Sequence, residues 1–247
     1  MNSDQKKIIF VHIPKTGGIT FKNMLISNYK ETEVVKWQKP ECNRTVEELH
    51  NFISQGKPLI MGHIDFAILN QEAFDNYKLI TFLRNPVDRT ISHYVHFQTS
   101  KLIDHEPYKG MPFEEFLETF AARNWQCQFL SNHKGLASSI ENESDMLSEA
   151  LKNLEEKIFF VGLTEEYDES VIYLRDKIGL KKTQYKYKNR SRNQDLTDEL
   201  KAKFSKEIAN VNRADMELYQ RGLEIFSSYK KEIKYYQLRK LRHFWKI

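Results

Sequence analysis

From Lys7 to Ile13 the chain reads KIIFVHI, a short β-branched and aromatic run that stops at Pro14 and is followed by the pair Gly17-Gly18. An apolar run of this length without polar alternation suits a strand covered on both faces, which is the environment of a parallel sheet. Between Thr20 and Tyr29, the residues Phe21, Met24, Leu25 and Asn28 recur at helical spacing. The unit is therefore strand, glycine turn, helix. Leu59 to Gly62 and Lys78 to Leu83 (KLITFL) are further strands of the same kind, each ending at polar residues, and Lys157 to Gly162 (KIFFVG) is another buried one. After Leu83, Pro86 stands at a first helical position and Asp88 in the first turn, which predicts a helix to about Phe97. After the KIFFVG run, Thr164 is expected to cap a helix carrying Glu165 and Glu166 in its first turn and stopping at Gly179. Strands alternating with helices predict an α/β fold with a mainly parallel central sheet flanked by helices. A chain of 247 residues that is 40% hydrophobic can bury one sizeable core, so a single domain is expected.

From Thr197 the pattern is helical throughout, with Thr197 as the expected cap. Residues 229–247 hold seven Lys/Arg against one Glu, with Tyr235, Leu238, Leu241, Phe244 and Trp245 interleaved. The expected division is a domain over 1–228 and a basic amphipathic helical tail over 229–247. The tail either packs on the domain with a solvated face or meets a membrane surface or a partner. Lys101 to Gly110 and Gly135 to Ser144 read as surface loops. A formal charge of +4 with 29% charged residues makes a mildly basic surface, compatible with anionic ligands and no signature of nucleic-acid binding. Cys42 and Cys127 have no metal-ligand spacing and read as free thiols of a reducing compartment, with a single structural disulfide as the alternative. No apolar run approaches the roughly 20 residues that span a bilayer. Met1, close before the first strand, favours a cytoplasmic protein over a lumenal catalytic domain whose anchor has been removed.

His12-Ile13-Pro14-Lys15-Thr16-Gly17-Gly18-Ile19-Thr20 sits where a strand hands over to a helix, and there unpaired N–H groups and the helix dipole favour an anion. The glycines let backbone approach a phosphate, Lys15 adds a cation, and Thr16 and Thr20 add hydroxyl donors. Lys15 precedes the glycines and no Ser or Thr directly follows them, unlike the metal-dependent nucleotide triphosphatase loop. No metal is expected. A second anion site is expected at Arg84, at the carboxyl end of a strand, with Ser92 about two helical turns on. Ligands of open α/β sheets bind beyond the carboxyl ends of the strands, so both turns should open on one crevice.

PKTGGIT resembles the 5′-phosphosulfate loop of sulfotransferases that use 3′-phosphoadenosine 5′-phosphosulfate (PAPS), in particular the carbohydrate group that includes the 2-O-sulfotransferases. Their usual Thr or Ser is Ile19 here. Arg84, Pro86, Arg89, Ser92 and Tyr94 match the spacing R-x-P-x-x-R-x-x-S-x-Y, similar to that family's 3′-phosphate motif. VGLTEEYDESVIYLRDKIGL and LYQRGLEIF resemble its later core segment and closing helix. The resemblance implies a single-domain, P-loop-like sulfotransferase fold. It also implies PAPS as co-substrate with PAP as product, and a hydroxyl acceptor, in that group a carbohydrate. The implied nucleotide contacts are Lys15, Thr16, Gly17, Gly18, Thr20, Arg84 and Ser92.

Sulfuryl transfer needs a more nucleophilic hydroxyl, in-line geometry and a place for charge on the departing phosphate. Lys15 is the expected group for the last task, because its interaction grows as the bridging oxygen becomes charged. His63, in Met61-Gly62-His63-Ile64-Asp65, follows a strand end and is the expected base. The segment resembles the motif in which the 2-O group places its catalytic histidine, with Met61 where that group often has a second one. Asp65 either orients His63, binds a sugar hydroxyl or caps the next turn. His12 reads as a packed histidine, Tyr94 as packing, and Arg89 either as a brace or as a direct phosphate contact. Asn124-Trp125-Gln126-Cys127-Gln128 resembles a family segment near the acceptor cleft, in which Trp125 is either core or a sugar platform. The basic run Lys181 to Arg192 is either a nucleotide lid, an acceptor contact or a solvated loop. Two other classes stay open: a non-catalytic phosphate-binding module and a P-loop kinase.

Overall fold

The structure is a computed structural model that describes residues 7–37, 45–132, 143–184 and 194–232. Among these, five strands form one sheet: β1 (Ile8–Val11), β2 (Val34–Trp37), β3 (Leu59–Gly62), β4 (Lys78–Leu83) and β5 (Ile158–Leu163), in the order β2-β3-β1-β4-β5. Every pairing is parallel. β1, at the centre, is buried at all four positions, as are β3 and five of the six residues of β4, which is why these strands read as unbroken apolar runs. β2 was not visible in the sequence pattern, because a four-residue edge strand with Lys36 exposed and only Val35 and Trp37 buried carries too little signal. With all strands parallel, their carboxyl ends leave the sheet at one edge. β2 and β3 lie on one side of β1 and β4 and β5 on the other, so the crevice at that edge opens beside β1.

The helices are α1 (Gly18–Ile26), α2 (Val46–Ser54), α3 (Gln71–Asn76), α4 (Pro86–Thr99), α5 (Phe113–Glu118), α6 (Trp125–Leu130), α7 (Glu143–Glu156), α8 (Tyr167–Ile178), α9 (Gln194–Val211) and α10 (Arg213–Glu232). α4 begins as expected, with Pro86 in its first turn and the Asn85 side chain accepting from Val87 N and Asp88 N. α8 ends as expected at Gly179, in the left-handed region at φ 69°. Its start differs. Thr164 caps nothing: its hydroxyl and its N–H both bond Leu83 O, at 3.1 and 2.9 Å, extending the β4–β5 ladder. The helix then starts at Tyr167, with Asp168 and Glu169 as its first-turn acids. Thr197 likewise lies inside α9, and the helical C-terminal region breaks at Asn212. Within 101–110, Ile103–Tyr108 forms a 3-10 helix where a loop was expected. Among the described residues no helix is long and apolar enough to cross a membrane.

One apolar cluster fills both faces of the sheet, centred on Phe10, Phe21, Phe82 and Phe160. A smaller one joins α4, α5 and α9 through Ile91, Phe116 and Phe204, and Trp125 packs against both. α10 crosses the expected boundary at 228: Tyr229 stacks on Tyr173 and Phe160, at ring separations of 4.4 and 5.4 Å. The rest of the expected tail, 233–247, lies outside the described residues, as do Cys42, 135–142 of the expected loop and 185–192 of the basic run, while Ser144 of that loop lies in α7. Cys127 is a buried free thiol.

Candidate functional site

The turn from β1 into α1 has the geometry of an anion cradle. Lys15 and Gly17 both take positive φ, at 72° and 78°, so the backbone reverses twice within three residues before α1 starts at Gly18. The first N–H groups of a helix have no partner inside it, and α1 carries no acidic residue in its first turn. The two glycines are required for different reasons. Gly17 holds the left-handed conformation that disfavours a side chain. Gly18 lies under the His12 ring, 1.9 Å from where its own Cβ would stand. The Thr16 hydroxyl, expected to face the anion, turns inward instead and donates to Ile13 O at 2.8 Å, in a fully buried position. Thr16 thus braces the turn, its hydroxyl already engaged inside it. Thr20 is buried on α1.

The second motif closes on the first. Arg84, the residue after β4, donates from Nη1 to Lys15 O at 3.0 Å, so the two expected anion contacts share one crevice. Its backbone is held by a residue of the segment expected near the acceptor cleft: Arg84 N donates to Gln126 Oε1, and Gln126 Nε2 donates to Arg84 O, both at 2.9 Å. Asn85 N donates to Glu165 Oε1 at 2.8 Å, and Tyr219 OH donates to Glu165 Oε2 at 3.0 Å. Glu165 therefore ties the Arg84-Asn85 turn to α10. Ser92 is half-buried on α4, two turns on.

Positive charge is concentrated here. Burial, with the Arg84 and Arg89 guanidinium groups nearby, lowers Lys15 from 10.5 to about 8. Burial also lowers Arg84, against the pull of Asp88 and Glu165. Arg89 is fully buried. Its Nη1 stands 3.2 Å from His93 Nδ1 and its Nη2 donates to Thr90 Oγ1 at 3.1 Å. It braces α4 from inside while adding to the field at Lys15. Tyr94 packs as expected, with its hydroxyl on Met111 O at 2.8 Å and its ring against Phe113 and Phe116. A cluster of partly desolvated cations, offset by Asp88 and Glu165 at Arg84 and by Asp215 at Arg89, stays unfavourable at Lys15 and becomes favourable around a multivalent anion.

His63 stands at the carboxyl end of β3, exposed, with its N–H on Trp37 O at 3.1 Å. Its ring centroid lies 4.8 Å from that of His12, the residue after β1. His12 is 4% exposed. Burial, with His63, Lys22 and Lys15 close by, holds it well below the usual imidazole range and so neutral. Thus the cradle, the cation cluster and the exposed imidazole occupy the carboxyl ends of β1, β4 and β3, three adjacent strands. Asp65 is buried at the start of the 3-10 turn Phe66–Ile68 and gives it no side-chain cap. Trp125 is packed against His93, Phe120 and Phe129, as core. Of the basic run, Lys181 and Lys182 donate their backbone N–H groups to Asn28 Oδ1, at 3.0 and 2.8 Å. Its residues 185–192 lie outside the described residues.

Comparison with known proteins gives one family model, described as the sulfotransferase family, which matches residues 1–237. Human heparan-sulfate 6-O-sulfotransferase 2 is 25% identical over 89% of this chain and 44% of its own length. Mouse heparan-sulfate 6-O-sulfotransferase 3 is 26% identical over 96% of this chain and 60% of its own. The chain thus spans about half the length of the curated relatives it matches. Among solved structures, mouse sulfotransferase SULT7A1 complexed with PAP aligns over 97% of this chain and 82% of its own, with 16% identity and a TM-score of 0.45.

Proposed function

The chain belongs to the sulfotransferase family, and on that premise we propose that it transfers a sulfuryl group from PAPS to a hydroxyl of a carbohydrate. The observation that carries this reading is the bond from Arg84 Nη1 to Lys15 O, which joins two anion-binding turns far apart in sequence. A ligand with a phosphosulfate at one end and a separate phosphate at the other needs two such seats.

In this reading the N–H groups at Gly17, Gly18 and the start of α1, with Lys15 and Thr20, hold the 5′ end. Arg84 and Ser92 hold the 3′-phosphate. One of the five N–H donors of Arg84 is spent on Lys15 O, leaving an edge of the guanidinium for the phosphate. His63 takes the proton of the acceptor hydroxyl as the oxygen forms its bond to sulfur. The bond between sulfur and the phosphate oxygen breaks, and Lys15 stabilises the negative charge left there. A neutral His12 beside His63 adds no positive charge that would oppose that proton transfer. The named activity of the relatives makes a heparan-sulfate-type glycan the first acceptor to try, with a 6-hydroxyl as the expected position. PAP release is measured with PAPS and size-defined glycans with free or blocked 6-hydroxyls. We expect turnover on glycans with the hydroxyl free. PAP binding without release on any glycan, phenol or lipid acceptor would leave only the binding-module reading.

A further inference from the structure

We infer that Gln126 is a positioning residue of the anion site: its side-chain amide stands in for a neighbouring strand at Arg84 and so sets where that guanidinium is presented. This rests on the reading of Arg84 as a phosphate contact. β1 pairs with β4 only as far as Thr81, and β5 only as far as Leu83. Arg84 is therefore the first residue beyond both ladders, where its backbone N–H and C=O have no strand to pair with. Gln126 supplies one acceptor and one donor there, each at 2.9 Å. A glutamine amide offers both functions on one planar group, whereas a carboxylate lacks the donor and an apolar side chain lacks both. The amide is fully buried and Arg84 half-buried, so an apolar side chain at 126 leaves the Arg84 N–H and C=O without these partners.

Gln126 is itself held from behind. Asp215, on α10 and fully buried, accepts from Gln126 N at 3.0 Å and from Cys127 N at 2.8 Å. Asn124 N donates to Asn212 Oδ1 at 2.8 Å, and Asp215 N donates to Asn124 Oδ1 at 3.1 Å. These reciprocal bonds fasten the start of α6 to the start of α10, fixing the height at which Gln126 meets Arg84. A side chain fastened this way restrains its contact to a fraction of an ångström, the tolerance that ligand positioning requires. Since Arg84 in turn bonds Lys15 O, the restraint reaches the phosphate loop.

The test is calorimetric PAP affinity, with kcat and KM for PAPS, in Gln126→Leu, Arg84→Ala and the double variant. Gln128→Leu is the control: it is equally buried on α6, but its amide donates to Arg123 O at 2.7 Å and does not touch Arg84. Gln126→Leu is expected to weaken PAP by about 10- to 100-fold, the scale of a misplaced binding group, and to add less than about twofold once Arg84 is gone. Gln128→Leu is expected to lower the melting temperature without changing PAP affinity. If Gln126→Leu does not fold, Gln126→Glu repeats the comparison, because it keeps the shape but turns an oxygen toward Arg84 O. An unchanged affinity in Gln126→Leu while Arg84→Ala binds weakly overturns the inference alone. So does a loss that multiplies in full with that of Arg84→Ala. Unchanged affinity in Arg84→Ala overturns the reading of Arg84 and this inference together.

Discussion

In the proposed reaction Lys15 would carry two opposed roles in one ammonium group. Its pKa falls from 10.5 to about 8 on folding, so between these values the unfolded chain binds more protons than the folded one, and stability rises with pH across that window. Below pH 8 the full penalty is present. Lys15→Met is therefore expected to melt higher than the parent at pH 7, with the gap closing by about pH 10.5, as thermal denaturation across that range would show. The same variant should lose about 10²- to 10³-fold in kcat, the usual cost of removing one group that stabilises transition-state charge. The charge of a bound polyanion outweighs the desolvation and like-charge effects, so PAP binding near pH 8 should take up a proton in the parent and none in Lys15→Met. Calorimetry in buffers of different ionisation enthalpy reads this directly. His63 is exposed and belongs to neither apolar cluster, so His63→Ala should cut turnover by about 10²- to 10⁴-fold while PAP affinity and melting temperature stay where they are. Retained turnover would assign the base elsewhere.

The elements at the crevice are fixed by close backbone approach at their carboxyl ends. Gly62 ends β3 with φ 154°, and a Cβ there would stand 1.8 Å from Trp37 O. That carbonyl also accepts from His63 N. Gly62→Ala must therefore separate β2 from β3 and turn His63 at the same time. A loss of at least about 2 kcal/mol is expected from the steric conflict, measured by urea denaturation, with turnover falling more than the remaining folded fraction explains. Gly222 shows the equivalent contact on the other side, where α10 lies so near β4 that a Cβ would meet Leu83 Cδ1 at 2.6 Å. With Asp215 and Tyr219 on the same helix face, α10 backs the Arg84 turn from below. The closing helix, which by sequence reads as merely structural, is the wall against which the Arg84 turn is set.

At the scale of the whole molecule, a ligand that binds only the folded state stabilises it by mass action, about 2.7 kcal/mol at one hundred times Kd. PAP should therefore raise the melting temperature, and the increment should shrink as salt is added, because Lys15 and Arg84 are only partly shielded from solvent. A mildly basic surface, +4 overall, is too weak a field to hold a polyanionic glycan by charge alone. Acceptor binding should then depend on specific contacts, and glycan affinity should fall less steeply with salt than PAP affinity does.

Much of this architecture was legible in local chemistry. Fully covered strands such as Ile8–Val11 and Lys78–Leu83 stand out as unbroken apolar runs, and the Pro14-to-Thr20 turn and the Asn85-Pro86 junction mark the helices behind them, because strand, turn and cap preferences act over a few residues. The short edge strand β2 and the true start of α8 escaped, and at α8 the reason is plain: a partner distant in sequence, Leu83 O, claims Thr164 and outweighs its local preference to cap. The same reason hid the partners of the site. That Arg84 reaches Lys15, and that Gln126 and Glu165 hold the turn between them, are outcomes of contacts spanning 42 to 80 positions. Side chains that satisfy buried backbone groups across such distances have no periodicity, so only the packed chain decides which of its many polar residues will do it.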